Sequence, residues 1–178
     1  MTTLFSMKQI GTLSSLPDLV VFTGGSDVDP ALYGDEKHMY TSIDTERDLN
    51  DVAAYQWAKK NNIPCVGICR GGQFLNVMNG GKMYQHIDGH TRNHQMIGQG
   101  IGEEGIEVTS THHQMMIVPK SGELVAWAED IAFSGEYEPE VVWFSERKDL
   151  SVQYHPEYMD EDSDGYQYFQ TLVEDYFS

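Results

Sequence analysis

The segment Ile63-Pro64-Cys65-Val66-Gly67-Ile68-Cys69-Arg70-Gly71-Gly72-Gln73 constrains this chain more than any other. A short apolar run ends in a cysteine that has glycine two residues before it and two after, and a helix-like segment follows. A nucleophile on a sharp strand-to-helix turn needs this pattern. The turn strains the backbone at the nucleophile, and side chains at the −2 and +2 positions would collide, so glycine is favoured there. Cys69 is then expected to project from the top of a sheet. The N-terminus of the next helix would lie beside it, where unpaired N–H groups favour a thiolate. The competing reading is a buried structural cysteine, since free cysteines pack well in cores.

The flanking sequence alternates strand and helix signals. Leu19-Val20-Val21-Phe22 reads as a buried parallel strand closed by Thr23-Gly24-Gly25. Ser26 to Thr41 is loop-like, and Thr45 to Asn62 reads as a helix. Thr45 is its expected cap, with Asp48 at the capping-box spacing, and Leu49, Val52, Ala53 and Trp57 its expected apolar face. The strand Cys65 to Ile68 follows, then a helix from Arg70 to Met78, stopped by Asn79-Gly80-Gly81. This order predicts an α/β fold, a parallel sheet with helices on its faces. The second half offers short strand-like runs at Glu107-Val108-Thr109, Leu124 to Ala128, Val141 to Phe144 and Ser151 to Tyr154. No long helix separates them, so they predict an antiparallel C-terminal extension. Asp164 to Phe177 reads as a closing helix with Tyr168, Leu172 and Val173 on its buried face.

A chain of 178 residues is expected to form one domain, 1–178, with a substantial core. No apolar run approaches a membrane span, and no basic-then-apolar leader opens the chain, so a cytoplasmic protein is expected. A disulfide between Cys65 and Cys69, along one strand, is geometrically disfavoured, which fits a reducing compartment. The formal net charge of −17 gives a surface that repels nucleic-acid phosphates and anionic membranes, so neither is expected as a partner.

A catalytic thiol needs a base and a group that orients the base. His155, in Gln153-Tyr154-His155-Pro156-Glu157, follows a predicted strand, and Glu157 can turn back to its ring and fix the tautomer. Acyl transfer also needs N–H donors for the developing oxyanion. The backbone N–H of Arg70 is one candidate, and Gly24-Gly25 offers a second at the same carboxyl edge of the sheet. His86, His90 and His94 recur every four residues, but Asp88-Gly89 argues against one helix aligning them. Clear acidic or cysteine ligands are missing from the pattern, so no metal site is expected.

Together these residues resemble the class I glutamine amidotransferase superfamily, most closely its gamma-glutamyl hydrolase-like peptidase branch. The landmarks run from Phe22-Thr23-Gly24-Gly25-Ser26-Asp27-Val28-Asp29-Pro30, with Tyr33-Gly34, through Glu46-Arg47-Asp48 to Gly67 to Val77 and Gly80-Gly81. They continue with Thr109-Ser110-Thr111-His112-His113-Gln114 and end at Gln153 to Glu157. The resemblance implies a flavodoxin-like, mostly parallel central sheet. It implies a triad of Cys69, His155 and Glu157, with an oxyanion hole from the N–H groups of Gly25 and Arg70. It also implies a glutamyl pocket held by Gln73 and walled by Ser110, His112, His113 and Gln114. The implied reaction cleaves a gamma-glutamyl amide through a thioester, with no metal or organic cofactor. A free-standing hydrolase of a gamma-glutamyl conjugate, a glutaminase subunit serving a separate synthetase, and an inactive binding protein of the same fold all remain open. Only about eighteen residues precede Leu19, and Met1 to Ser15 reads as the tail of a helix, so the family's first strand is expected to be missing.

Overall fold

The computed structural model describes residues 15–87, 92–133 and 135–177. The expected helix tail before Ser15 and the expected loss of a first strand therefore fall outside the described residues, as do Asp88, Gly89 and His90. In chain order the elements are β1 (Val20–Phe22), α1 (Thr45–Lys60), β2 (Cys65–Ile68), α2 (Arg70–Met78), β3 (Lys82–Tyr84) and β4 (His94–Gly98). Then come β5 (Ile106–Val108), β6 (Met115–Ile117), β7 (Glu123–Phe133), β8 (Glu136–Phe144), β9 (Asp149–Val152) and α3 (Asp164–Phe177). One sheet has the order β1-β2-β9-β8-β7-β4-β5, and β3 and β6 form a separate antiparallel pair. The parallel part is β1-β2-β9. The remaining strands form the predicted antiparallel extension, but the run expected in it at Ser151 to Tyr154 is β9, which joins the parallel part by pairing with β2 and is antiparallel only to β8.

Strand alternation sorts side chains onto the two faces. Cys65, Val142 and Phe144 join a core with Tyr55 and Ala58 of α1 and Phe74 and Leu75 of α2. Val66, Val141, Trp143 and Leu150 join a second core with Leu172 of α3. Helices therefore cover both faces, as expected for a flavodoxin-like α/β fold. Tyr168 and Val173 pack beside Leu172, so the buried face of α3 is the one the sequence predicts.

Helix α1 corrects two expectations. Its cap is Asp44, whose carboxylate accepts from the Arg47 N–H at 3.1 Å, and Thr45 is the first helical residue. Asp48 is thereby free of capping and points into the protein, 3% exposed. Its position on α1 brings it to the side of Asp51, Tyr55 and Ala58, whereas Leu49 is 69% exposed. The C-terminal end of α1 is anchored by Asp149, which opens β9. This buried carboxylate accepts from Tyr55 Oη at 2.7 Å, from Asn79 Nδ2 at 2.9 Å and from Lys59 Nζ. Strands β3, β4 and β6 have no counterpart in the sequence reading: β3 and β4 mix polar and apolar residues, and the apolar β6 is only three residues long.

Candidate active site

Register builds the site. Ile68 pairs with Val152 across parallel β2 and β9, and Phe22 of β1 pairs with Gly67. Cys69, His155 and the Gly24-Gly25 loop consequently leave the sheet at one carboxyl edge. The Cys69 N–H donates to Val152 O at 2.8 Å, tying the turn to β9.

Cys69 has φ 52° and ψ −114°, a strained backbone for any residue with a side chain. The steric reason for the flanking glycines is direct. A Cβ on Gly67 would sit 2.1 Å from Gly71 O, and one on Gly71 would sit 2.0 Å from Phe22 O. Cys69 is 8% exposed, at the N-terminus of α2, whereas Cys65 is fully buried. Burial, reinforced by the charge of Asp149, pushes the Cys65 thiol up to about 12.

His155 and Cys69 lie on either side of Gly24, and the His155 Nδ1 is 2.6 Å from Glu157 Oε1 in the short turn Pro156–Tyr158. Burial by itself would lower the His155 pKa. The bonds to Cys69 and Glu157 outweigh burial and push it up to about 10. These contacts favour the protonated ring, which can give a proton. Tyr158 stacks on it with centroids 4.4 Å apart. Thr109 Oγ1 accepts from the His155 N–H at 2.9 Å and donates to His155 O at 3.2 Å.

Gly24 lies against this pair. A Cβ there would be 2.8 Å from His155 Cε1 and 3.7 Å from Cys69 Cβ. Arg70, directly after Cys69, sends a buried guanidinium to Asp48 and Asp51 of α1. Burial raises the Asp48 pKa, and the charge and hydrogen bond of Arg70 oppose that rise.

The predicted pocket residues divide into groups. Gln73 is 3% exposed and donates from Nε2 to Gln153 Oε1 at 3.2 Å. Ser110, His112 and Gln114 are buried and bonded in series, Ser110 Oγ to His112 Nε2 at 3.3 Å and His112 Nδ1 to Gln114 O at 2.9 Å. His113 turns outward instead, with Nε2 3.2 Å from Asp27 Oδ1 and Nδ1 3.4 Å from His86 Nδ1.

The fold also supplies the acidic partners that the histidine spacing lacks. Glu138 and Glu140 of β8 meet His94 of β4, with ligand-type atoms within 4.8 Å of one another, a set able to hold a cation. Protons meet the same charge. Burial and the neighbouring Glu140 push Glu138 up to about 8, while Glu140 raises His94 against burial. A separate cavity of about 580 Å³, lined by Ile101, Ile106, Tyr168 and Leu172, contains no member of the Cys69–His155–Glu157 set.

Sequence reasoning missed Arg47, Asp51, Thr109, Gln153 and Tyr158. Arg47, Thr109 and Gln153 do lie inside quoted motifs; the roles of Asp51 and Tyr158 depend on contacts that only the fold creates.

A doubly covered sheet with a strained cysteine turn, and a histidine–carboxylate pair on the adjoining strand end, define a class I glutamine amidotransferase-like protein. The chain matches the peptidase C26 family over residues 5–157 and belongs to that glutamine amidotransferase-like hydrolase family. It is 34% identical over 170 residues to the glutamine amidotransferase-like protein YvdE of Lactococcus lactis, covering 84% of this chain and 70% of YvdE. It is 29% identical over 164 residues to the carbamoyl phosphate synthase small chain of Methanococcus maripaludis, covering 86% of this chain and 38% of the relative. Among solved structures, a GMP synthase subunit from Thermoplasma acidophilum shares the fold. Its TM-score is 0.59 at 17% identity, over 90% of this chain and 79% of that one. Among the described residues, no helix is long and apolar enough to cross a membrane.

Proposed function

We propose that this protein is a thiol hydrolase of gamma-glutamyl amides, with Cys69 as nucleophile, His155 as acid and base, and Glu157 as the orienting carboxylate. The observation that carries the reading is the shared strand edge: Cys69 and His155 meet around Gly24, with His155 Nδ1 2.6 Å from Glu157. The Cys69 sulfur attacks the side-chain carbonyl carbon of the glutamyl group, and a C–S bond forms. The carbonyl oxygen takes up negative charge, which the N–H groups of Gly25 and Arg70 receive. His155 gives its proton to the leaving amine as the C–N bond breaks. The neutral ring then takes a proton from the water that attacks the thioester; the C–S bond breaks, glutamate leaves, and the thiolate–imidazolium pair that began the cycle is restored.

Gln73, with Gln153 bonded to it, is the proposed holder of the glutamyl group, and Ser110, His112, His113 and Gln114 form the proposed wall. The small-molecule substrate is a gamma-glutamyl conjugate or glutamine. The similarity to a carbamoyl phosphate synthase small chain supports a second reading, a glutaminase subunit whose ammonia goes to a separate synthetase.

The test is glutamate release from glutamine and from a panel of gamma-glutamyl amines, with Cys69→Ala as the control. Release from several amides by the isolated chain, abolished in Cys69→Ala, supports the hydrolase. Glutamine turnover only in the presence of a partner favours the subunit reading. No release from any substrate by folded protein overturns both in favour of an inactive binding protein.

A further inference from the structure

We propose that Arg47 is the positioning residue that aims the Gly25 N–H into the oxyanion hole, a role that rests on the hydrolase reading above. Arg47 opens α1 and reaches across to the loop after β1. Its Nη1 donates to Gly24 O at 2.7 Å, and its Nη2 donates to Thr23 O at 2.7 Å and to Thr23 Oγ1 at 3.3 Å. The planar fork of a guanidinium holds two successive carbonyls at once, which the single point charge of a lysine does not.

Peptide geometry turns that grip into an orientation. The described chain has no cis peptide bond. In a planar trans peptide, the carbonyl of one residue and the N–H of the next point to opposite sides. Pulling Gly24 O towards Arg47 therefore turns the Gly25 N–H away from Arg47. Gly24 itself packs against His155 and Cys69, so the N–H is directed to the side where the thiol attacks. The space at residue 25 agrees. Gly25 has φ +151°, and a Cβ on it would sit 2.1 Å from Arg47 Nη1. Glycine there leaves room for the guanidinium.

The same helix turn fixes the second donor. Arg47 Nε lies 3.4 Å from Asp51 Oδ2, and Asp51 also accepts from Arg70 Nη1. Asp48 accepts from Arg70 Nη2. Arg47, Asp48 and Asp51 thus join the Thr23-Gly24-Gly25 loop to the residue that follows Cys69. They set the spacing of both N–H groups before substrate arrives, which is what an oxyanion hole requires.

The test compares wild type with Arg47→Ala, Arg47→Gln and Arg47→Lys, each first checked for a native melting transition. Hydrolysis of gamma-glutamyl-p-nitroanilide gives kcat and KM, and iodoacetamide gives the alkylation rate of Cys69. Alkylation builds no oxyanion, so it reports the thiol and His155 alone. The expected result is a kcat loss of about 10²-fold, the scale of losing one oxyanion donor. KM and the alkylation rate should stay within about threefold, by the same division between transition-state and ground-state contacts. Lysine should not restore kcat. Unchanged kcat in any folded variant, or alkylation that falls in parallel with kcat, overturns the proposal. If wild type spares the anilide, the same comparison is made with an amide it does cleave in the panel above; wild type that cleaves no gamma-glutamyl amide overturns the hydrolase reading itself, and the Arg47 role with it.

Discussion

At the scale of single residues, the two cysteines separate cleanly. Cys65 is fully buried, with its thiol pushed up to about 12, while Cys69, though buried, keeps 8% exposure beside a helix N-terminus and His155. One equivalent of iodoacetamide should label Cys69 and abolish activity, as read by peptide mass spectrometry; labelling at Cys65 first would contradict the assignment. Glu157 is one of the groups that hold the His155 pKa at about 10 against burial. A histidine raised this way keeps its proton below that value and loses it as pH rises through it. Glu157→Gln removes one raising contact, so the alkaline limb of kcat/KM should move to lower pH, with kcat falling more than affinity. A pH profile with an unmoved alkaline limb would count against an orienting role for Glu157. Gln73→Ala should raise KM for every gamma-glutamyl substrate by roughly 5- to 150-fold, the equivalent of about 1–3 kcal/mol for a lost buried hydrogen bond. Alkylation at Cys69 should persist in that variant. Collapse of alkylation with unchanged KM would make Gln73 a support of the turn instead of a substrate contact.

At the scale of elements, β8 carries the sharpest consequence. The sequence offers Val141 to Phe144 as the strand, but β8 runs from Glu136 and buries Glu138 and Glu140 completely. Two closely spaced acids are poor strand formers by pattern, and two facing histidines make them tolerable inside, His94 beside Glu140 at 3.0 Å and His112 beside Glu138 at 3.2 Å. Glu138 has its pKa raised from 4.5 to about 8, so the folded state binds a proton that the unfolded chain releases between those values. The sign follows from linkage: this contribution to stability is complete below about pH 4.5 and is lost as pH rises through about 8. Glu138→Gln should remain neutral throughout. Urea unfolding should therefore show a shallower fall in stability between pH 5 and 8 for the variant than for wild type, about the window of the shift. Parallel curves would remove Glu138 as the group responsible. Helix α1 shows a related competition. The capping-box spacing from Thr45 to Asp48 is real in the sequence, yet Asp44 takes the cap and Asp48 serves Arg70. Local spacing offers Asp48 one role, and a distant arginine gives it another.

At the scale of the whole molecule, charge is the dominant feature. A net charge of −17 on 178 residues means general self-repulsion. Salt shortens its range, the screening length being about 10 Å at 0.1 M. The melting temperature should therefore rise by a few degrees, roughly 1 kcal/mol for a chain of this size, between 0.01 and 0.5 M sodium chloride, about the range over which screening sets in. A falling Tm would mean that specific ion pairs outweigh the general repulsion. Much of the molecule is readable from its sequence. The turn at Cys69, the boundaries of β2, α2 and α3, and the α/β class all follow from short-range rules. A strand needs its apolar run, a tight turn needs glycine where a Cβ would collide, and a helix stops where glycine follows. The triad candidates could be named because Cys69 and His155 each sit at the end of such a strand. Tertiary structure alone decided which strands are neighbours and in what register, and hence that Cys69 meets His155. It also decided that Arg47 grips Thr23 and Gly24, that Arg70 reaches α1, and that Glu138 and Glu140 close on His94. Those contacts join residues far apart in the chain. Local sequence sets the conformation of each segment, but the energy of pairing charges and hydrogen bonds between segments depends on how the packed sheet brings them together.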